Sequence, residues 1–161
     1  MNARSWGDNV LLARLRSRAL VNGGLTGAGQ IRYGPAMHPS EPLHSFPTHS
    51  DEFWTGERLY ITEIINHAAC PDVSLALGRI EPGVTTQIHS LDVAETYCVK
   101  SGEGVIEIDG QSLALRPGDS ITIAPGQAQR ITNRGADDVL VYLVCRPRFT
   151  PDSYHNLEDT P

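Results

Sequence analysis

Between residues 58 and 145 the chain is a succession of short runs in which apolar and polar residues alternate or apolar residues dominate: RLYITEII, VSLALGRI, TTQIHSL, ETYCVK, GVIEIDG, QSLAL, DSITIA, QRITN and VLVYLVC. A period of two puts successive side chains on opposite faces of an extended chain, so each run predicts a β-strand with one face buried. VIEID alternates cleanly, whereas VLVYLVC is apolar at nearly every position, as an inner or doubly covered strand would be. Between the runs stand turn signals: Pro82-Gly83, Ser101-Gly102, Asp109-Gly110, Pro117-Gly118-Asp119, Pro125-Gly126 and Arg134-Gly135. Asp109-Gly110 is the strongest hairpin signal, because the favoured two-residue turn needs positive φ at both central positions. The intervals leave no room for a helix. The pattern predicts an all-β sandwich or barrel that begins near Glu52.

Upstream of that point the pattern fades. Residues 21–49 are rich in Gly, Pro, Ser and His and show no sustained period, which predicts an irregular arm. In MNARSWGDNVLLARLRSRAL, residues Val10, Leu11, Leu12 and Leu15 recur at helical spacing among arginines, so the start reads as a short amphipathic helix or an unstructured leader. The expected division is an arm over 1–50, a barrel domain over 51–150 and a C-terminal tail over 151–161. A chain of 161 residues suits one such core.

Charge and cysteine usage narrow the function classes. The net charge is −6, and residues 1–50 carry Arg4, Arg14, Arg16, Arg18 and Arg32 against Asp8 and Glu41, so the remainder is strongly acidic. Nucleic acid is an unfavourable partner for such a surface. No apolar run approaches the roughly 20 residues that span a bilayer, so no membrane partner is expected. Cys70, Cys98 and Cys145 are odd in number, lack C-x-x-C spacing and follow no signal-peptide pattern, which fits a cytoplasmic protein. Cys98 and Cys145 fall in apolar strands and are expected as small buried hydrophobes.

Candidate chemistry concentrates in PGVTTQIHSLDVAETYCVKSGEG, residues 82–104. Gly83, His89, Glu95 and Gly102 stand at the spacing of a glycine, His-x-His, Glu and glycine motif, with Leu91 where the second histidine would be. Gly118, Pro125, Gly126, Gln129 and Asn133 match a second motif loosely, with Gln129 in the place of its histidine. These two motifs resemble those of the cupin superfamily. The resemblance implies a double-stranded β-helix, the jelly-roll cupin barrel, and a metal centre inside it. Carried onto this chain, the ligands would be His89 (nitrogen), Glu95 (carboxylate) and Gln129 (amide oxygen), a set suited to a divalent ion such as Mn, Fe, Ni or Zn. Leu91 would put a hydrophobe beside it, and Asp92 would join only if a bulge turned it inward.

Two catalytic candidates follow: Glu95 as general base, and Tyr97, on the same strand face, as donor to a developing oxyanion or simply as a packed ring. Arg130 points away from the pocket, Arg146 and Arg148 serve structure at the end of the last strand, and Phe53, Trp54 and Tyr60 cover a barrel end or meet a second subunit. The resemblance implies a metal-dependent enzyme acting on a small oxygen-rich or carboxylated metabolite, of dioxygenase, decarboxylase or isomerase type. The alternatives are a metal-free small-molecule binding or sensor module, and a metal-free isomerase or cyclase using Glu95 and Tyr97. It also implies a homodimer formed through N-terminal strands.

Overall fold

The computed structural model describes residues 52–158, which fold into two antiparallel sheets. The strands are β1 (Phe53–Trp54), β2 (Tyr60–Ile65), β3 (Ser74–Ile80), β4 (His89–Leu91), β5 (Ala94–Ser101), β6 (Gly104–Ile108), β7 (Gln111–Leu115), β8 (Ser120–Ile123), β9 (Gln129–Asn133), β10 (Val139–Arg146) and β11 (Tyr154–Asn156). One sheet has the order β1-β2-β3-β10-β5-β8, the other β11-β4-β9-β6-β7. This is the all-β jelly-roll barrel that the alternating runs and the motif spacing imply. Among the described residues there is no α-helix, and none that is long and apolar enough to cross a membrane. The arm and the amphipathic start, residues 1–50, lie outside the described residues.

The core is built from the inward parity of each strand. Val139, Val141 and Leu143 of β10 and Tyr97 and Val99 of β5 meet Ile106 and Ile131 of the facing sheet. VLVYLVC is apolar because β10 lies between β3 and β5 at the centre of its sheet; its outward residues are half-buried. The β6–β7 hairpin turns through Asp109 (φ 47°) and Gly110 (φ 79°), both in the left-handed region, as the Asp-Gly signal requires. Gly102 (φ 80°) answers a second constraint, since a Cβ there would lie 2.5 Å from the Asp138 carbonyl oxygen.

Two strands were not legible as period-two runs. β1 is only Phe53–Trp54, and it pairs with β2. Arg79 pins this edge, bonding Glu52 at 2.8 Å and Asp138 at 3.2 Å and lying 4.0 Å over the Tyr60 ring. Phe53 packs on the core, while Trp54 meets Tyr60 edge-on at 4.8 Å.

The other strand corrects an expectation. Residues 151–158 are not a tail beyond the domain: Pro151–Ser153 form one 3-10 turn, and β11 pairs with β4 (Tyr154↔Leu91, Asn156↔His89). Three residues are too few to show a period. What seats them is the edge of β4 and a small apolar cluster of Leu91, Val93, Cys145 and Phe149, on which the Tyr154 ring packs.

Candidate active site

His89 and Leu91, two apart on β4, both face inward, buried to 3% and 4% exposure. β4 meets β9 at a single register pair, His89↔Gln129, so the backbone sets those two side chains next to each other. Glu95 comes from the opposite sheet. Its cross-strand partner on β10 is Cys145, whose thiol lies 3.7 Å from Glu95 Oε1. Gln129 Nε2 donates to Glu95 Oε2 at 2.8 Å, a buried hydrogen bond that joins the two sheets. The spacing argument therefore brings His89, Glu95 and Gln129 together, and it adds Tyr97, buried in the core two residues beyond Glu95.

A cavity that opens to solvent is bounded by Glu57, His89, Glu95, Tyr97 and Cys145 among its polar residues. Leu59, Ile61, Leu91, Ile131, Leu143 and Phe149 form its apolar wall, and Glu63 and Ile65 also border it. Gln129 stands behind Glu95 and does not line the space. Its Oε1 is the one buried side-chain polar atom among the described residues without a hydrogen-bond partner. Leaving such an acceptor unmatched costs about 1–3 kcal/mol.

His89 has a defined orientation. Its Nδ1 is 2.9 Å from the Gln87 carbonyl oxygen, which only accepts, so Nδ1 carries the proton and Nε2 keeps a lone pair. The ring stacks on Tyr154 at 4.9 Å with 27° between planes, and the Tyr154 hydroxyl donates to Gln87 Oε1 at 2.9 Å. Glu57 Oε2 lies 3.9 Å from the same Nδ1.

The electrostatics follow from burial. Burial pushes His89 below its ordinary value, against the Gln87 bond and the Glu95 charge, so the imidazole is held neutral. Burial pushes Glu95 up; the Glu57 charge adds to this, while His89 and the Gln129 and Cys145 hydrogen bonds oppose it. The same burial, with the Glu95 charge next, raises Tyr97 well above the ordinary phenol value and Cys145 above the ordinary thiol value. Cys145 is thus an inert thiol that donates to Glu95, not a nucleophile.

The remaining expectations separate cleanly. Asp92 is exposed and pairs with His155 at 2.8 Å, so it does not join the cavity. Arg130 turns outward to Glu107 at 2.8 Å. Arg148 is structural, donating to Asn66 Oδ1 at 3.0 Å, and Arg146 is exposed at the end of β10.

Glu57, Glu63, Tyr154 and Phe149 were not picked out from sequence. For Glu63 the signal was present, since on β2 it shares the parity of the buried Ile61; Glu57 carried none, because it stands in the turn before β2, where Arg58 takes a left-handed φ of 67°. Tyr154 and Phe149 carried no such signal, because their positions depend on where the chain returns after β10.

Residues 76–145 match the family model of the cupin domain. No curated protein sequence matches the chain significantly. Among solved structures, the Streptomyces nucleoside dehydratase Pac13 aligns with a TM-score of 0.61 at 16% identity, over 74% of this chain and 95% of that one. KdgF from Halomonas sp. aligns with a TM-score of 0.58 at 18% identity, over 68% and 98%. A conserved protein with a double-stranded β-helix domain from Klebsiella pneumoniae aligns with a TM-score of 0.54 at 19% identity, over 71% and 91%. At these identities the likeness is one of fold.

Proposed function

The chain belongs to the cupin superfamily, and from that premise we propose that its cavity is an acid–base site in which His89 and Glu95 move protons on a small bound molecule. One observation carries the reading: a neutral imidazole, its free Nε2 set by the Gln87 carbonyl, shares an apolar cavity with a buried carboxyl group. Their environments push the two groups toward each other, His89 down and Glu95 up, which suits a base and an acid working at one pH.

The step is an elimination or an isomerisation. His89 Nε2 takes a proton from substrate carbon, the electron pair forms the new double bond, and Glu95 delivers its proton to the departing oxygen, which leaves as water. In an isomerisation the same two groups remove and return the proton. Glu57, 3.9 Å from His89 Nδ1, stabilises the imidazolium that forms. Gln129 and Cys145 orient the Glu95 carboxyl group through its two oxygens. Tyr97, the second catalytic candidate, supplies a hydroxyl beside Glu95 to steady developing charge. That a nucleoside dehydratase uses this fold is consistent with such chemistry.

A second reading is a divalent ion (Mn, Fe, Ni or Zn) held by His89, Glu95 and Gln129, and it is favoured by the partnerless Gln129 Oε1, which a cation would satisfy. The donor chemistry fits a weakly held ion, since Leu91 removes a ligand and, among the described residues, no three His, Cys, Asp or Glu side chains gather to hold one. Such an ion would supply a Lewis acid.

Turnover of hydroxylated and carbonyl-bearing small molecules, screened with and without a chelator, separates the readings. Chelator-resistant turnover that is lost in His89→Gln and Glu95→Gln supports the acid–base site. Turnover that vanishes with the chelator and returns with added ion moves the assignment to the metal. The expected assembly is a homodimer, checked by light scattering.

A further inference from the structure

We propose that the cavity selects an organic cation, a protonated amine carried on a compact apolar body, rather than a carboxylated or otherwise anionic molecule. The proposal rests on the acid–base reading only for the location of the site. Three acidic side chains border the cavity, the carboxylates of Glu57 and Glu63 and the proton-bearing Glu95, and no lysine or arginine does. The nearby cations are turned to other work. Arg58, next to Glu57, donates to the Thr85 carbonyl oxygen at 2.8 Å and pairs with Glu158, and Arg148 is held on Asn66 and on the Phe149 carbonyl oxygen.

An anionic ligand would therefore meet the like charges of Glu57 and Glu63 in a largely apolar space whose lining holds no lysine or arginine to neutralise it, and repulsion between unscreened charges there is costly. An ammonium group meets the opposite arrangement. Glu63 is half-buried on β2 and is fixed by Asn66, whose Nδ2 donates to its Oε1 at 2.9 Å. Glu57 lies deeper, 9% exposed, beside His89. Both carboxylates border the space an ammonium group would occupy. Leu59, Ile61, Leu91, Ile131 and Leu143 take up its apolar body, and the rings of Tyr97 and Phe149 border the same space.

The wider field acts in the same direction. Residues 51–161 carry 17 Asp and Glu against 8 Lys and Arg, from chain totals of 19 and 13 less the two acidic and five basic residues of the first 50. A negative field raises the local concentration of cations at the mouth.

The test is titration calorimetry of the full chain with three isosteric probes: benzylamine, benzyl alcohol and benzoate at pH 7.5. The expected result is saturable binding of benzylamine, roughly tenfold weaker binding of benzyl alcohol, and none of benzoate. Glu57→Gln and Glu63→Gln should each weaken benzylamine while leaving benzyl alcohol within about twofold. Benzoate binding as tightly as the amine, equal binding of amine and alcohol, or no saturable binding of the amine overturns the proposal. Because binding is read without turnover, charge selectivity can fail while the chelator-resistant chemistry stands, and the reverse.

Discussion

The barrel interior and the two flanking segments beside it contribute to the same site by different physics. The interior side chains, His89, Glu95, Tyr97 and Gln129, stand on β4, β5 and β9, where strand parity and cross-strand register leave little freedom. The closing segments, residues 55–58 and 149–158, are held by turn bonds, by the three-residue pairing of β11 with β4 and by a few side-chain contacts. The Gln87 amide donates to the Glu57 carbonyl oxygen at 2.9 Å, the Leu157 amide to Ile88 at 3.0 Å, Tyr154 stacks on His89, and Arg58 pairs with Glu158. Neither closing segment falls within the stretch, 76–145, that matches the cupin domain family model. The difference teaches that the shared barrel supplies reactive groups at fixed positions, while the flanks decide how those groups are covered and charged.

That contrast can be broken most severely from the interior. Ile106→Ala removes a side chain with 0% exposure from the centre of the core and should cost about 3 kcal/mol, read as a lowered midpoint in denaturant. A loss below about 1 kcal/mol would show that the ladder is not the stable part. Deletion from Pro151 onward should act differently. The cooperative transition should survive at reduced midpoint, since β11 pairs only with β4, while benzylamine binding weakens as Tyr154 and Glu158 leave the surroundings of His89 and Arg58. A chain that no longer unfolds cooperatively would mean that the clasp belongs to the core.

Gln129→Ala should cost less than Ile106→Ala, because it removes both the hydrogen bond to Glu95 and the partnerless Oε1. Tyr154→Ala is gentler still on stability but uncovers His89, so the imidazole pKa measured by NMR should rise toward its ordinary value; an unchanged titration would deny the clasp any electrostatic role.

The smallest effect is one of pH. Burial raises Glu95, so its contribution to stability is complete below the ordinary carboxylate value of about 4.5 and is lost as pH rises through its higher value in the folded chain. His89 works oppositely, its contribution being present above about 6.5 and lost as pH falls through its lowered value. Glu95→Gln removes only the first, so its melting temperature should gain on the wild type as pH rises from 5 to 8. A difference that stays flat across that range would place the Glu95 pKa at its ordinary value.

Much of this was legible before any coordinates. The nine period-two runs each correspond to an observed strand, although TTQIHSL shortens to His89–Leu91, with Thr85 making only a bridge to Thr132. Glu63 was legible in principle from the parity of Ile61 on β2, whereas Glu57, in the turn before that strand, was not. Tyr154 was not, because three residues carry no period and their partner strand lies more than 60 positions earlier.

The sequence by itself determined the nine strands from β2 to β10, the left-handed turns at Asp109-Gly110 and Gly102, and the inward parity of His89, Glu95 and Gln129, because all of these depend on local periodicity and local backbone sterics. Only the tertiary structure decided which of those inward groups touch. It turned the Gln129 amide toward Glu95, set the His89 tautomer through Gln87, excluded every lysine and arginine from the cavity lining and laid Tyr154 over the imidazole. These are relations between residues far apart in the chain, fixed by how two sheets close on each other, and no local pattern encodes them.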